Sequence, residues 1–208
     1  MGSGFSTYTF AGLADFNGDG NPDIIARDSS GTLWLYPGDA NHDTATARVQ
    51  IGTGLSGYAF AGVRDWNGDG HPDTVAKDSS GALWMYPGNG TVNGTSTLGT
   101  RVQIGTGWST YTLEGLADWD KDGHMDLTAM DSSGTLWLYP GDTAHDTATA
   151  RVQTGTGWTN YPFAGLADFN SDGNPDIITR GPGGILWLYP GPGTRTGQGT
   201  RVQIGTGW

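Results

Sequence analysis

The chain has 208 residues, a formal net charge of −11 and no cysteine. Its ten lysines and arginines are scattered, which argues against a nucleic-acid partner because phosphate binding needs a basic surface. No run of 18 apolar residues occurs, so no membrane-spanning helix is expected. Glycine is abundant (37 residues), but nine Trp, eight Tyr and six Phe supply apolar area for a core. The composition predicts a turn-rich β protein.

The first repeat begins after a short N-terminal segment, Met1–Gly4. Met1–Gly4 lacks the apolar segment of a signal peptide, and we interpret it as a start added for expression. The next fifty residues contain four strand candidates separated by turn residues: 8–14, 23–27, 32–36 and 47–51. No window has a helical apolar period. Four consecutive strands predict one four-stranded antiparallel sheet.

The first two strand candidates are joined by an acidic loop with the pattern D-x-[DN]-x-D-G-x-x-D. It occurs four times, starting at Asp15, Asp65, Asp118 and Asp168, so the periods are 50, 53 and 50 residues. Two further landmarks keep the same phase: Leu-Trp-[Leu/Met]-Tyr-Pro-Gly, and Arg-Val-Gln followed two residues later by Gly-Thr-Gly. Repeats of this length with several short strands are typical of propeller blades.

We therefore predict an all-β fold, a β-propeller of four-stranded antiparallel blades with four blades per chain. One domain would span 5–208, with repeats at about 5–54, 55–107, 108–157 and 158–208. Two ring sizes stay open, since four blades can close alone or a homodimer can build an eight-bladed ring.

The acidic loops point to calcium, a hard cation that takes six to eight oxygen ligands. Thirteen of the 21 acidic residues lie in the loops, and four bound calcium ions would bring the charge from −11 to −3. An EF-hand is excluded because loop position 12 is Ala or Thr instead of a bidentate Glu, and a strand follows. We predict about four Ca²⁺ per chain. The side-chain ligands are Asp15, Asn17, Asp19 and Asp23; Asp65, Asn67, Asp69 and Asp73; Asp118, Asp120, Asp122 and Asp126; and Asp168, Asn170, Asp172 and Asp176. Backbone carbonyls of position 7 (Asn21, His71, His124 and Asn174) complete the set.

These loops and the Leu-Trp-Leu-Tyr-Pro-Gly segments resemble FG-GAP/VCBS repeats, which build the calcium-loop blades of integrin α-subunit propellers and of a fungal lectin. The resemblance covers residues 5–208 and implies a β-propeller with calcium in inter-strand loops. Weak calcium sites of extracellular modules work only where calcium is millimolar, so we expect a secreted, extracellular protein.

Aromatic residues at the repeat boundaries are the candidate ligand-binding groups. Trp108, Trp158 and Trp208 end Gly-Thr-Gly-Trp segments, and Phe5 has the equivalent place at the start. Their rings can either pack between blades or stack on sugars, and both readings stay open here. Trp34, Trp84, Trp137 and Trp187 lie within strands and are expected to pack between blades.

Nothing in the sequence predicts an enzyme. The carboxylates are repeated and assigned to cations, no cysteine exists, and Ser29, Ser79 and Ser132 lie in ordinary Asp-Ser-Ser-Gly turns. The favoured hypothesis is a calcium-stabilised, non-catalytic, lectin-like propeller that binds glycans or glycoproteins at blade junctions. The alternative is a protein-interaction, adhesion or structural targeting module of a larger secreted protein.

Overall fold

A computed structural model describes residues 5–41, 47–147 and 149–208. In these ranges the chain forms sixteen β-strands and two short 3-10 turns, Phe5–Thr7 and Gly94–Ser96, and no α-helix. The same part of the chain therefore offers no helix with the length and hydrophobicity of a membrane span. The expected added start, Met1–Gly4, lies outside the described residues.

The described strands form four four-stranded antiparallel sheets, each in sequential order. Each sheet is one blade. The strands are β1 (Thr9–Ala14), β2 (Asp23–Arg27), β3 (Leu33–Tyr36) and β4 (Val49–Gly52); β5 (Ala59–Arg64), β6 (Asp73–Lys77), β7 (Leu83–Tyr86) and β8 (Val102–Gly105); β9 (Thr112–Ala117), β10 (Asp126–Met130), β11 (Leu136–Tyr139) and β12 (Val152–Gly155); and β13 (Phe163–Ala167), β14 (Asp176–Gly181), β15 (Ile185–Tyr189) and β16 (Val202–Gly205).

The predicted fold class is confirmed: the protein is all-β, of the β-propeller type, with four-stranded antiparallel blades. The four strands predicted in the first repeat lie within two residues of the observed ones. Contacts divide the chain into two compact units, Met1–Ser109 and Thr110–Trp208, each with two blades. A single domain over 5–208 and the size of the ring stay predictions.

The core of each unit comes from alternation along the strands. In β3, Leu33 and Leu35 are fully buried, while Trp34 and Tyr36 on the opposite face are only partly buried. In the first unit these leucines pack with Phe16 and Ile25 in one cluster. In the second unit, Leu136, Leu138 and Ile177 pack with Trp119 and Trp158. One aromatic residue from an acidic loop (Phe16 or Trp119) thus anchors each cluster.

The first strands of neighbouring blades lie beside each other within each unit, β1 with β5 and β9 with β13. Glycine permits this approach. Gly115 has φ +158°, and a Cβ there would lie 2.7 Å from Cδ1 of Leu166. A larger residue would have to displace the Leu166 side chain of the neighbouring blade.

In every blade, an arginine stacked on a tryptophan joins the Arg-Val-Gln segment to the Leu-Trp-x-Tyr strand. The arginine of Arg-Val-Gln places its guanidinium over the tryptophan of Leu-Trp-x-Tyr, at 3.8 Å from the ring centroid for Arg151 on Trp137. The pairs are Arg48–Trp34, Arg101–Trp84, Arg151–Trp137 and Arg201–Trp187. The same guanidinium donates to tyrosine hydroxyls, such as Tyr139 for Arg151. These contacts place each tryptophan against residues of its own blade, and the expected packing between blades stays a prediction.

Candidate functional site

Each acidic loop is a tight turn held by its own carboxylates. In the first loop, one carboxylate oxygen of Asp15 accepts hydrogen bonds from the backbone N–H groups of Gly18 (2.8 Å) and Asp19 (3.1 Å). The other oxygen accepts from Gly20 at 2.8 Å. Gly20 has φ +88°, a conformation that favours glycine and explains its place after the third acidic or amide position. The turn thereby directs its oxygens inward.

Position 4 of the loop is also left-handed, which the sequence reasoning missed. Gly18 and Gly68 occupy it in the first two loops, but Lys121 (φ 64°) and Ser171 (φ 62°) occupy it in the last two. Residues with a side chain are strained in this region. The two loops of the second unit therefore keep the turn without the glycine that would relieve it.

The last aspartate of every loop is a buried clasp. Asp73 is 0% exposed, and its Oδ2 accepts from the N–H of Trp66 at 2.9 Å, while its Oδ1 accepts from Gly88 at 3.0 Å. A Cβ on Gly88 would overlap the carbonyl oxygen of Pro72, so glycine is needed for this approach. Asp23, Asp126 and Asp176 make the same two bonds. The clasp joins the loop to the end of the blade's third strand.

Burial disfavours the ionised form of three of these carboxyls, those of Asp23, Asp73 and Asp126. It raises the pKa of Asp73 and of Asp126 to about 6, although the backbone donors oppose the shift. The pKa of Asp23 is also raised, again mainly by burial. A bound cation would favour the ionised form of each group.

Positions 3 and 5 are paired in the first, second and fourth loops. The amide of Asn17 donates to Asp19 at 2.9 Å, and Asn67–Asp69 and Asn170–Asp172 repeat the contact. The N–H of the position-7 residue also donates to the position-5 aspartate in all four loops. Hydrogen bonds from Asn21 and Asn17 lower the pKa of the Asp19 carboxyl. The predicted ligand role of the position-7 carbonyls stays a prediction.

The third loop differs because Asp120 replaces the asparagine. Ligand oxygens of Asp118, Asp120 and Asp126 lie within 4.8 Å of one another, the one such group of three found in the described residues. Oδ1 of Asp118 is buried and has no hydrogen-bond partner among those residues. A buried carboxylate oxygen without a donor is costly. It is the kind of atom that a cation would satisfy.

Arg195, from the loop between β15 and β16, also reaches this third loop. Its Nε donates to Asp120, and its Nη2 lies 3.0 Å from Oδ2 of Asp122. The Asp120 side chain is 3% exposed, whereas Arg195 is 45% exposed. Arg195 thus supplies to Asp122 the donor that asparagine supplies in the other loops. The sequence reasoning missed this contact, which joins residues 75 positions apart.

The donor set of the loops fits a hard divalent cation. Every loop offers carboxylate or amide oxygens from positions 1, 3, 5 and 9, and such oxygens are what Ca²⁺ prefers. In the third loop, the orphaned Asp118 oxygen and the clustered carboxylates support the fit, and Arg195 would compete with the ion for Asp120 and Asp122.

The aromatic candidates at the repeat boundaries occupy different environments. Trp108 and Trp158 are 3% and 4% exposed, so their rings pack inside their units. Trp208 is 67% exposed. Phe5 is partly buried against Tyr8, Phe10 and Tyr36. Trp108 and Trp158 therefore pack in the protein interior, and Trp208 is the candidate that presents an open ring face.

Tandem four-stranded blades, each with an acidic loop between its first two strands, define a repeat protein of the β-propeller class. A family profile described as the FG-GAP-like repeat matches residues 15–76, 65–129 and 118–179. The chain belongs to this family. No curated protein matches it.

Solved structures to which the chain is similar include three larger chains. These are the C-terminal WD40 domain of Sif2 (17% identity, TM-score 0.44, 97% of this chain and 48% of that one), BBS1N in complex with ARL6DN (15%, 0.42, 92% and 55%), and Raptor of Chaetomium thermophilum (10%, 0.43, 97% and 21%). This chain therefore spans between 21% and 55% of their lengths.

Proposed function

We propose that the protein is a calcium-stabilised, non-catalytic binding module whose partners are proteins. The observation that carries the proposal is the third loop, where three carboxylates converge around a buried oxygen of Asp118 that has no donor. Calcium would supply the partner that this oxygen lacks and would bind the carboxylates of the equivalent loops, holding the first two strands of each blade together. Such weak sites suit a secreted, extracellular protein.

The preference for protein partners rests on where the aromatic residues lie. A lectin with equal sites at every blade junction needs an open ring face at each junction, because sugar stacking uses that face. Trp108 and Trp158 are almost fully buried. FG-GAP-like propeller repeats are also suited to protein interaction, since their blades present loops on a rigid scaffold.

Glycan binding is the second candidate, favoured by the open ring of Trp208. A glycan array and a random-peptide display library, both probed in millimolar calcium, separate the two candidates. We expect enrichment of related peptides and no array signal. An array signal abolished by Trp208→Ala, with no peptide enriched, would replace the protein proposal by the lectin one. Silence in both assays would count against a binding module.

A further inference from the structure

The second unit contains a cavity of about 940 Å³ between its two blades. Its walls are aromatic, with Trp158, Tyr161, Phe163 and Trp208, and Glu114 and Met130 contribute from the neighbouring blade. An aromatic cavity with a few polar groups is the usual form of a ligand site. Comparison with the equivalent blade junction of the first unit indicates which kind of ligand this cavity fits.

In the first unit, the equivalent space is filled by a side chain of the protein itself. Nη1 of Arg27 donates to the carbonyl oxygens of Leu55 (2.9 Å) and Tyr58 (2.6 Å), and Nη2 donates to Thr9 at 3.0 Å. The guanidinium carbon lies 5.7 Å from the ring centroid of Phe60. The junction of two blades thus forms a binding site for a guanidinium group.

The second unit keeps every partner of Arg27 and loses the arginine. The four partners correspond, by the phase of the acidic loops, to residues that all line the cavity: Thr9 to Thr112, Leu55 to Trp158, Tyr58 to Tyr161, and Phe60 to Phe163. Arg27 itself corresponds to Lys77 and then to Met130. Lys77 also donates inward, to the carbonyl of Trp108 at 3.0 Å. The side chain of Met130 has no N–H to donate.

A carboxyl group appears where the cation is lost. Glu114 is the one glutamate in the whole sequence, and its position holds alanine in the other repeats (Ala11, Ala61 and Ala164). Burial raises the pKa of Glu114 to about 7, and Arg180, which also lines the cavity but is exposed, does not offset the shift. A cation in the cavity would relieve this burial cost.

We propose that this cavity binds a guanidinium group, supplied by an arginine side chain of a protein partner. The carbonyl oxygens of Trp158 and Tyr161 accept from it as those of Leu55 and Tyr58 accept from Arg27, the ring of Phe163 lies beside it, and Glu114 balances its charge. Arginine suits the site better than lysine because its planar fork reaches two carbonyls and a carboxylate together. The inference rests on the proposed protein-binding function and identifies the residue type of the partner that the cavity would hold.

The test uses a capped Gly-Gly-Arg-Gly-Gly peptide and its citrulline analogue, titrated calorimetrically into the intact chain in millimolar calcium. Citrulline keeps the shape of arginine but carries no charge. We expect the arginine peptide to bind about tenfold or more tightly than the citrulline peptide. N-acetyl-arginine amide, as a third probe, shows whether the side chain alone is sufficient. Equal affinity for arginine and citrulline overturns the proposal.

Two variants copy residues that other repeats already carry, so their effect on folding is small by design. Met130→Arg restores the internal arginine and should abolish peptide binding by filling the cavity, whereas the matched Met130→Leu should leave it unchanged. Glu114→Ala should weaken binding about tenfold or more. A peptide affinity that is the same in Met130→Arg and wild type, or in Glu114→Ala and wild type, contradicts the proposal.

The failure of this inference is separable from failure of the proposed function. Peptides enriched from the display library whose binding is unaffected by Met130→Arg would leave a protein-binding module that uses another surface. An empty display screen together with a silent arginine peptide would remove both proposals.

Discussion

The clasp aspartate of the second loop gives the sharpest test of how the loops stabilise the blades. Asp73→Ala leaves the N–H groups of Trp66 and Gly88 buried without an acceptor. Each unsatisfied buried donor costs about 1–3 kcal/mol, so the two cost about 2–6 kcal/mol. Removing the carboxylate also removes the cost of burying its charge, and we therefore expect a net loss in the lower half of that range.

The matched control is Asp69→Ala in the same loop. Asp69 is exposed, and the groups that donate to it, in Asn67 and His71, can turn to water instead. Urea denaturation in excess chelator isolates the clasp from any metal, and Asp69→Ala should then cost about 0.5 kcal/mol or less. In calcium, both variants should lose additional stability. A loss for Asp73→Ala in chelator that is no larger than for Asp69→Ala would refute the clasp.

Three further predictions concern the stacked pairs, the third loop and pH. Arg151→Lys should destabilise the chain by about 0.5–2 kcal/mol in urea denaturation, because an ammonium stacks poorly on Trp137 and cannot fork to tyrosine; an unchanged midpoint would contradict this. Arg195→Ala should tighten calcium binding, measured by calorimetry, because it frees two predicted ligands; weaker binding would show that Arg195 supports the site instead. In chelator, the melting temperature should fall as pH rises from about 4 to about 6. The pKa values of Asp73 and Asp126 are raised in the folded chain, so the stability that these two carboxyls contribute is full below their unfolded pKa and is lost as pH rises through their folded pKa. A melting temperature that rises over that window would contradict this prediction.

The blades were predictable because every strand is short, bounded by Gly, Pro or Asp turns, and repeated in phase. The last strand of the first repeat was expected at 47–51 and is Val49–Gly52. Both the acidic loops and their turn glycines follow from residue type and spacing alone. The left-handed conformation of Lys121 and Ser171 was not predictable, since neither residue type favours it.

The rest of the site depends on contacts between residues distant in sequence. Arg195 meets Asp120 only because the loop after β15 folds back over the neighbouring blade's acidic loop. Trp108 and Trp158 follow Gly-Thr-Gly segments that suggest an open loop, yet both rings are buried. Aligning the repeats shows that Met130 stands in place of Arg27 and Glu114 in place of Ala11. Only the hydrogen bonds of Arg27 in the structure show what these two differences could mean for binding.

The measurement that most directly tests the central claim is thermal unfolding of the intact chain in millimolar calcium and in excess chelator. Free calcium about tenfold above Kd stabilises a folded chain by about 1.4 kcal/mol per site, so four independent sites give about 6 kcal/mol. We expect a clearly higher melting temperature in calcium and a dependence on its concentration. Coincident unfolding curves would contradict calcium stabilisation and leave the four acidic loops as hydrogen-bonded turns.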